Sequence, residues 1–201
     1  MKRVSLLGKG PLAIKAAEWF LKSPKYKLVN IVPVTPYPHW CENIIYWAEV
    51  TKTKVVYDHN ELPDSDLDLV VSIFYEKIIK KDFIDRCRKI INLHNAPLPK
   101  YRGVRPINWA LKNNEPHHGV TIHEITPGID DGPILGKIEY PIYPEIESVK
   151  DVYEKSVNYG YLLFTDVLSK IDNIKAVEQD HSQATYYSNK TIEQLGDRSG
   201  W

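Results

Sequence analysis

The sequence predicts an α/β fold: a Rossmann-like, mostly parallel sheet with helices on both faces, in a single domain. Short apolar runs of strand length alternate with segments of helical periodicity through the first two-thirds of the 201 residues. Right-handed crossovers between parallel strands bury both faces of the sheet that they form. With 43% hydrophobic residues, the chain can build one sizeable core but is too short for two comfortable domains.

The predicted strands are short apolar runs, several of them rich in valine and isoleucine. In chain order they lie at 3–8, 27–34, 54–57, 67–74, 89–94, 119–125 and 134–142. Four segments between or after them carry apolar residues at helical spacing. These predicted helices lie at 12–22, 40–50, 78–86 and 104–113. The order strand, helix, strand, repeated, favours parallel winding.

A long final helix is predicted over 148–170, where Ser148 and Asp151 offer a partial capping box before an apolar stripe. The residues after it are polar and aromatic with weak periodicity. We therefore divide the chain into a catalytic domain over 1–175 and a C-terminal tail over 176–201. We expect a strand or hairpin followed by a loosely held end, and a dimerisation element is a further interpretation of the tail.

Composition excludes several classes of partner. The 26 basic and 26 acidic side chains give a net charge of zero, so no global field would hold the protein on nucleic acid or an anionic membrane. The N-terminus lacks a signal-peptide pattern, and no run of about 18 apolar residues occurs, so we expect a cytoplasmic protein. Cys41 and Cys87 stand far apart without a partner motif, and His118 and His123 lack a zinc spacing. No metal is expected.

The segment GKGPLA at 8–13 follows the first strand and opens a helix. It matches a permissive glycine-rich nucleotide fingerprint, in which backbone N–H groups and the helix dipole attract a phosphate. Pro11 removes one of those donors, and no acidic residue ends the second strand to bind a ribose. A tight turn without a ligand and contact with another anionic substrate group both stay open.

The stretch INLHNAPLPKYRG at 91–103 begins as a buried strand and continues into polar residues and prolines. Ligands of open α/β sheets bind beyond the carboxyl ends of the strands, where Asn92 and His94 would stand. Because they are two residues apart, their side chains lie on one side of the strand. An amide that donates to an oxyanion, beside an imidazole that moves a proton, suits acyl transfer. A turn asparagine and a hydrogen-bonded histidine explain the same residues structurally.

The segment TPGIDDGPI at 126–134 places Asp130 and Asp131 before the turn glycine Gly132. A carboxylate that reaches the imidazole of the site would favour its charged form and fix its tautomer. Asp-Asp-Gly also occurs in turns for conformational reasons alone. Both interpretations stay open for this segment taken by itself.

Together these segments resemble the formyltetrahydrofolate-dependent formyltransferase family, which includes glycinamide ribonucleotide, methionyl-tRNA and amino-sugar N-formyltransferases. The resemblance covers roughly residues 1–170 and implies the formyltransferase fold. It is carried by an ordered set: Asn92-Leu93-His94, Leu98-Pro99, Arg102-Gly103, Gly119 to His123 and Gly128 to Ile134. It implies that Asn92, His94 and Asp130 are the catalytic asparagine, histidine and aspartate, since the family's carboxylate stands two residues before the glycine. Relatives usually have a small residue at Asp131, whose role stays open.

The resemblance implies 10-formyltetrahydrofolate as co-substrate. In relatives the folate ring lies against backbone from the fourth-strand exit and from the loop before the catalytic aspartate. The corresponding cofactor-binding positions are Ile73, Phe74, Tyr75, Glu76, Thr126, Gly128 and Ile129. A second set, at the strand-end crevice, would meet the pyrophosphate of a nucleotide-linked substrate. These substrate-binding candidates are Lys9, Gly10, Lys77, Arg102, Gly103 and Arg105, with solvated surface charge as the alternative for the basic ones.

The acceptor that the resemblance favours is the primary amine of an amino sugar, usually nucleotide-linked, formylated for surface polysaccharide such as lipopolysaccharide O-antigen. Purine-pathway members carry a first loop richer in Gly, Ser and Asn. Members that act on initiator tRNA add a C-terminal domain, whereas this sequence ends at residue 201 with zero net charge. Glycinamide ribonucleotide formyltransferase, and a folate- or nucleotide-binding protein without catalysis, stay open. A homodimer is a further open expectation.

Overall fold

A parallel sheet organises the first half of the chain. The computed structural model describes residues 1–63 and 67–200, and the chain divides into two compact units, Met1–Leu93 and His94–Trp201. The division falls within the strand Ile90–His94. Elements of this part of the chain are β1 (Lys2–Gly8), α1 (Gly10–Lys22), β2 (Tyr26–Pro33), α2 (Ile44–Thr51), a 3-10 helix (His59–Glu61), β3 (Leu69–Ile73), α3 (Lys81–Ile84) and β4 (Ile90–His94).

The first four strands are all parallel and lie in the order β2-β1-β3-β4. β1 is buried from Val4 onward, and all five residues of β3 are buried. Such continuous apolar runs are typical of parallel strands covered on both faces. Helix α1 buries an apolar side that includes Leu12, Ala16 and Phe20. The predicted α/β class is therefore confirmed.

The strand order creates a topological switch between β1 and β3, because the chain runs from β1 to β2 on one side and to β3 on the other. Open α/β sheets bind ligands at such a point, outside the carboxyl ends of the strands. Gly8 ends β1 there with φ +153°, and a Cβ at this position would overlap the carbonyl oxygen of Ile73. Glycine is thus required for the close approach of the two strand ends.

The second unit is built around an antiparallel strand pair and one long helix. Its elements are β5 (Arg102–Gly103), α4 (Pro106–Lys112), β6 (His117–Glu124), β7 (Ile134–Pro141), α5 (Val149–Lys170), a 3-10 helix (His181–Gln183), β8 (Tyr186–Tyr187) and a second 3-10 helix (Asn189–Ser199). β6 and β7 pair antiparallel, and α5 packs on β7, where a Cβ at Gly136 would lie 2.9 Å from Val167 and 3.0 Å from Leu163.

The residues after α5 return to the loop that follows β4. β8 pairs in parallel with β5, so that Arg102 lies opposite Tyr186. The ring of Tyr187 stacks on Trp109, with centroids 4.2 Å apart, and on Tyr101, with centroids 5.7 Å apart. Within residues 176–200, the part that the structure describes, the tail is paired with its own unit through β8 and β5. Its predicted role in dimerisation stays a prediction.

Three predicted elements differ from the observed ones. The segment 54–57 is not a strand, because only Val55 forms an isolated bridge, with Ile31. The helix predicted over 78–86 is reduced to the four residues of α3, of which only Phe83 is buried. α2 begins later than predicted, since the Asn43 side chain accepts a hydrogen bond from the Ile45 N–H at 2.9 Å and caps the helix there.

Helix α5 begins with a complete capping box, as the sequence indicates. The Ser148 hydroxyl accepts from the Asp151 N–H at 3.3 Å, and the Asp151 carboxylate accepts from the Ser148 N–H at 2.7 Å. Leu163 and Phe164 are among its buried residues. Among the helices of residues 1–63 and 67–200, α5 included, none has the length and apolar character needed to span a membrane.

Replacement of Ser148 by alanine removes one half of this capping box. We expect a loss of about 1 kcal/mol in the free energy of unfolding, and a decrease of about 2–4 °C in Tm for a chain of this size. Thermal unfolding followed by circular dichroism measures the change. Ser169→Ala, at an exposed position in the last turn of α5, is the matched control and should leave Tm within about 1 °C. Equal Tm values for the two variants would contradict the capping role.

Candidate active site

The end of β4 carries the two polar residues that the sequence singles out. Asn92 is half-buried and His94 is buried, and their alternation in one strand places both side chains on the same side of it. After β4 the chain turns through Tyr101, which has a left-handed backbone with φ +62°. Such a conformation is uncommon for a bulky side chain and marks a constrained backbone.

Both ring nitrogens of His94 face hydrogen-bond acceptors. Nε2 lies 2.8 Å from the carbonyl oxygen of Tyr101, and since a carbonyl only accepts, this nitrogen carries a proton. Nδ1 lies 3.4 Å from Oδ2 of Asp130. The two ring nitrogens thus face a carbonyl oxygen and a carboxylate oxygen, both of which are acceptors. The left-handed turn at Tyr101 therefore serves to present a carbonyl to the histidine.

Asp130 places a buried carboxylate among three partners. Besides His94 they are the backbone N–H of Gly103, 2.9 Å from Oδ2, and Nε2 of His123, 3.5 Å from Oδ1. Burial by itself would raise the pKa of Asp130, but the two imidazoles and the Gly103 N–H hold that pKa well below its usual range. The side chain is 14% exposed and is ionised at neutral pH. Its backbone is left-handed, with φ +51°, which aspartate tolerates better than most residues.

His123 is a site residue whose function the sequence does not indicate. It belongs to the ordered set of the resemblance, and its sequence spacing does not predict a metal site. The structure buries its side chain to 3% exposure beside Asp130, with Nδ1 2.8 Å from the Glu124 carbonyl oxygen. Strand alternation and the shared motif were the available signals, but neither indicates which carboxylate the ring would meet. No group of three metal-ligating side chains is found among the residues that the structure describes.

The loop between β6 and β7 holds its shape through Asp131. The Thr126 hydroxyl donates to the Asp131 carboxylate, and a Cβ at Gly128 would overlap that carboxylate. Gly132 lies against the Glu124 carbonyl oxygen, where a side chain has no room. Asp131, whose role the sequence left open, thus supports the turn next to Asp130. Ile129, at 44% exposure, is the one predicted folate-contact residue of this loop with a large exposed apolar side chain.

The candidate substrate residues of the second unit occupy different environments. Arg102 is 9% exposed, and its guanidinium donates to the Gln179 side chain and lies 3.1 Å from Nδ1 of His181. Gly103 contributes its N–H to Asp130 and has φ +89°. Arg105 is exposed and has a left-handed backbone just before α4. Contact of Arg102, Gly103 and Arg105 with a substrate stays a prediction.

In the first unit, Lys9 and Glu76 meet at the carboxyl ends of β1 and β3. Their side chains form an ion pair, and the Lys9 ammonium also lies 5.0 Å from the centroid of the Trp40 ring. Lys9 is 6% exposed, and desolvation lowers its pKa from the ordinary value. These two predicted ligand residues, one for substrate and one for folate, are therefore direct neighbours.

A tyrosine hydroxyl accepts a hydrogen bond from the backbone of the glycine-rich turn. The N–H of Gly10 donates to Oη of Tyr37 at 2.9 Å, and this hydroxyl donates to the Glu42 carbonyl oxygen at 2.6 Å. Tyr37 thus satisfies a backbone donor at the start of α1 that a phosphate would use in a dinucleotide site. Together with Pro11, this contact argues against a dinucleotide fingerprint.

The remaining predicted folate residues continue from β3. The side chain of Ile73 is fully buried, which leaves only its backbone for contact with a ligand at the end of β3. Phe74 has a left-handed backbone with φ +54°. Tyr75 directs its hydroxyl to Nδ1 of His59 at 3.1 Å, and burial raises the pKa of Tyr75 to about 12. Lys77, which the sequence predicts as a substrate-binding residue, lies close by in the chain and donates to the Tyr57 carbonyl oxygen at 3.3 Å.

Comparison with known proteins decides the family. The sequence profile of the formyl transferase family matches residues 54–168, more than half of the chain. The chain belongs to the formyl transferase family. The matched residues include Asn92, His94, His123 and Asp130, whereas Lys9 and Gln179 lie outside the match.

Individual relatives agree with this assignment. A methionyl-tRNA formyltransferase from Fervidobacterium nodosum is 36% identical over 119 residues, which is 59% of this chain and 37% of that relative. The match thus spans well under half the length of the curated relative. An N-formyltransferase from Helicobacter canadensis, solved with folinic acid and dTDP-3-aminofucose, has a TM-score of 0.82 at 26% identity, over 94% of this chain and 72% of that one. WlaRD, a sugar 3N-formyl transferase solved in the presence of dTDP and 5-N-formyl-THF, has a TM-score of 0.83 at 25% identity, over 94% and 70% of the two chains.

Acid should lower the folding stability of the protein partly through Asp130. Because the folded-state pKa of Asp130 lies below the ordinary 3.8, its contribution to stability is present above about pH 5 and is lost as the pH falls further. Asp130→Asn removes that contribution and leaves two imidazoles without their counter-ion, so we expect a loss of about 3 kcal/mol near pH 6.

The difference in unfolding free energy between wild type and Asp130→Asn should therefore shrink between about pH 5 and pH 3, as measured by urea denaturation. Asp166→Asn, at an exposed ion pair on α5, is the control and should change stability by less than about 0.5 kcal/mol at every pH. Curves for wild type and Asp130→Asn that stay parallel down to pH 3 would refute the depressed pKa.

Proposed function

We propose that this protein is an N-formyltransferase that moves a formyl group from 10-formyltetrahydrofolate to the primary amine of an amino sugar.

 The acceptor in this proposal is a nucleotide-linked amino sugar. The observation that best supports the formyl-transfer chemistry is the buried His94–Asp130 pair, whose atoms Nδ1 and Oδ2 lie 3.4 Å apart. His94 stands at the end of the strand that also bears Asn92. An imidazolium fixed by a carboxylate, beside an amide donor, suits the stabilisation of an oxyanion in acyl transfer.

The proposed reaction begins when the acceptor amine attacks the formyl carbon of 10-formyltetrahydrofolate. A tetrahedral intermediate forms, with its negative charge on the former formyl oxygen. Asn92 would donate to that oxyanion through its amide, and His94 would stabilise it through its positive charge. The C–N10 bond then breaks, and the proton lost by the attacking amine passes to the folate nitrogen through His94 or a water molecule.

Asp130 would orient His94 and stabilise its positive charge. Its carboxylate is already held by the Gly103 N–H at 2.9 Å, so little reorganisation is needed when charge develops nearby. Nε2 of His94 donates to the Tyr101 carbonyl oxygen, and we propose that this bond is exchanged for one to the oxyanion. Preorganised donors of this kind supply a large part of the rate enhancement in acyl transfer.

The co-substrate in this proposal is supported by the relatives, since the Helicobacter canadensis enzyme was solved with folinic acid and WlaRD in the presence of 5-N-formyl-THF. The backbone of residues 73–76 and of 126–129 would contact the folate. Two apolar residues of these segments differ from ordinary core residues. Phe74 has a left-handed backbone, and Ile129 has an exposed side chain.

An amino-sugar acceptor is supported by the same two structures, one solved with dTDP-3-aminofucose and the other with dTDP. Both similarities extend over 94% of this chain. Lys9 and Arg105 would provide positive charge for the phosphates of the nucleotide. We further propose that the product serves surface polysaccharide, such as O-antigen, and that the reaction is cytoplasmic and carried out by a homodimer.

A second acceptor, methionyl-tRNA, is favoured by one observation. The Fervidobacterium nodosum relative, a methionyl-tRNA formyltransferase, is 36% identical to this chain over 119 residues. The net charge of zero over the 201 residues argues in the other direction, because binding to the phosphate backbone depends on an excess of basic side chains.

The catalytic roles can be tested by single substitutions. Asn92→Ala and His94→Ala should each reduce turnover by at least about 10²-fold, because each removes a group that stabilises the oxyanion. Folate binding, measured by calorimetry, should stay within about threefold of wild type. Asn173→Ala and His117→Ala, both at exposed positions, are the matched controls. Near-normal turnover in either active-site variant would rule out its assigned role.

The acceptor can be identified with a panel of amines. Wild-type protein is incubated with 10-formyltetrahydrofolate and, separately, amino-sugar nucleotides, free amino sugars, glycinamide ribonucleotide and methionyl-tRNA. We expect a formyl mass increase of a nucleotide-linked amino sugar. Formylation of methionyl-tRNA or glycinamide ribonucleotide alone would replace the proposed acceptor while keeping the chemistry, and no formylation of any amine would refute the transferase activity.

A further inference from the structure

Gln179, in the segment that follows α5, makes four hydrogen bonds from a buried side-chain amide. Nε2 donates to the carbonyl oxygens of Asp130, at 2.9 Å, and Gly132, at 2.8 Å. Oε1 accepts from Nε and Nη2 of Arg102, at 3.2 and 2.6 Å. The residue is 5% exposed.

Only a primary amide fits these surroundings. Two carbonyl oxygens require donors on one side of the group, and a guanidinium requires an acceptor on the other. An amide supplies two N–H donors and an oxygen with two lone pairs, so every hydrogen-bonding position of Gln179 is used. A carboxylate of the same shape would keep the bond to Arg102 but would direct an oxygen at two carbonyl oxygens.

The partners of Gln179 are the residues next to the catalytic contacts. It holds the backbone of Asp130 itself, whose φ of +51° is uncommon and needs support from its surroundings. It also holds Arg102, which lies between Tyr101, the acceptor for His94, and Gly103, the donor to Asp130. One side chain therefore joins the two segments that fix the positions of His94 and Asp130.

Further contacts secure the same segment on both sides of Gln179. Val177 and Ile134 exchange two backbone hydrogen bonds, of 2.7 and 2.9 Å. The Thr185 hydroxyl accepts from the Tyr101 N–H at 2.7 Å, and the Thr185 carbonyl accepts from the Arg102 N–H at 2.9 Å. Gln179 thus sits in a backbone that is fixed to both parts of the site.

We propose that Gln179 is a positioning residue for the formyl-transfer step, acting through the backbones of Asp130 and Arg102. The inference rests on the proposed function, because the chemical step that it serves is the one assigned to His94 and Asp130. Gln179 touches neither substrate nor co-substrate in this role, so its loss affects the rate of the bound complex more than the binding of either reactant.

Gln179→Glu is the decisive variant, since it preserves shape and the Arg102 contact while it removes both donors to the loop. We expect kcat to fall by about 10–100-fold, with the KM values for both substrates within about twofold of wild type. Gln183→Glu is the matched control: it makes the same change four residues later, at an exposed side chain that donates to Asp180 at 2.9 Å. Its kcat should stay within about twofold of wild type.

A kcat for Gln179→Glu within twofold of wild type would overturn the proposal. So would a rise in both KM values with an unchanged kcat, which would indicate a role in binding. If Gln179→Glu does not fold, Gln179→Asn takes its place with the same expectations. Asparagine keeps the amide donors and acceptor, but its side chain is one methylene group too short to reach the same partners.

The ¹⁵N NMR signals of the His94 and His123 side chains separate this proposal from the proposed function. If wild type formylates no amine, the proposed function fails, and the histidine signals then decide on positioning alone. Those signals should shift in Gln179→Glu and stay unchanged in Gln183→Glu. Unchanged signals in Gln179→Glu would overturn the positioning role whatever the activity.

Discussion

The buried carboxylate of Asp130 is the group on which the rest of the site depends. An ionised carboxylate removed from water is costly unless charge and hydrogen bonds compensate it. Asp130 obtains this compensation from His94, from His123 and from the Gly103 N–H. The same three contacts fix the position of the imidazole that the proposed chemistry needs, so stability and catalysis require the same geometry here.

Backbone conformation makes this arrangement possible. Gly103 has φ +89° and Asp130 φ +51°, while Tyr101 adopts φ +62° to direct its carbonyl at His94. Glycine adopts a positive φ without strain, but the left-handed backbones of Tyr101 and Asp130 need external support. The residues after α5 supply it through Gln179 and through the pairing of β8 with β5. The C-terminal segment is therefore part of the construction of the site.

In the first unit, the strand order is that of a ligand-binding α/β sheet, but the polar groups at the strand ends differ from those of a dinucleotide site. The strand order β2-β1-β3-β4 creates a switch point at the ends of β1 and β3, where a dinucleotide fold would place a phosphate on the first helix. Here the Tyr37 hydroxyl meets the Gly10 N–H, and Lys9 pairs with Glu76. The crevice keeps the geometry of a ligand site while its polar groups differ from those of a dinucleotide fingerprint.

The sequence by itself determined the strands of the parallel sheet and the capped helix α5, because these features depend on local periodicity and on motifs of adjacent residues. Through the family resemblance it also predicts the set Asn92, His94 and Asp130, whose catalytic role stays a prediction. It overestimated 54–57, where only Val55 forms a bridge with Ile31, and 78–86, where the helix is limited to Lys81–Ile84. Only the tertiary structure decided that His123 meets Asp130, that Asp131 supports its own loop and that Gln179 bonds to residues 47 and 49 positions away. Such contacts join segments that are distant in sequence, and a hydrogen-bonding side chain has no periodicity that would indicate its partner.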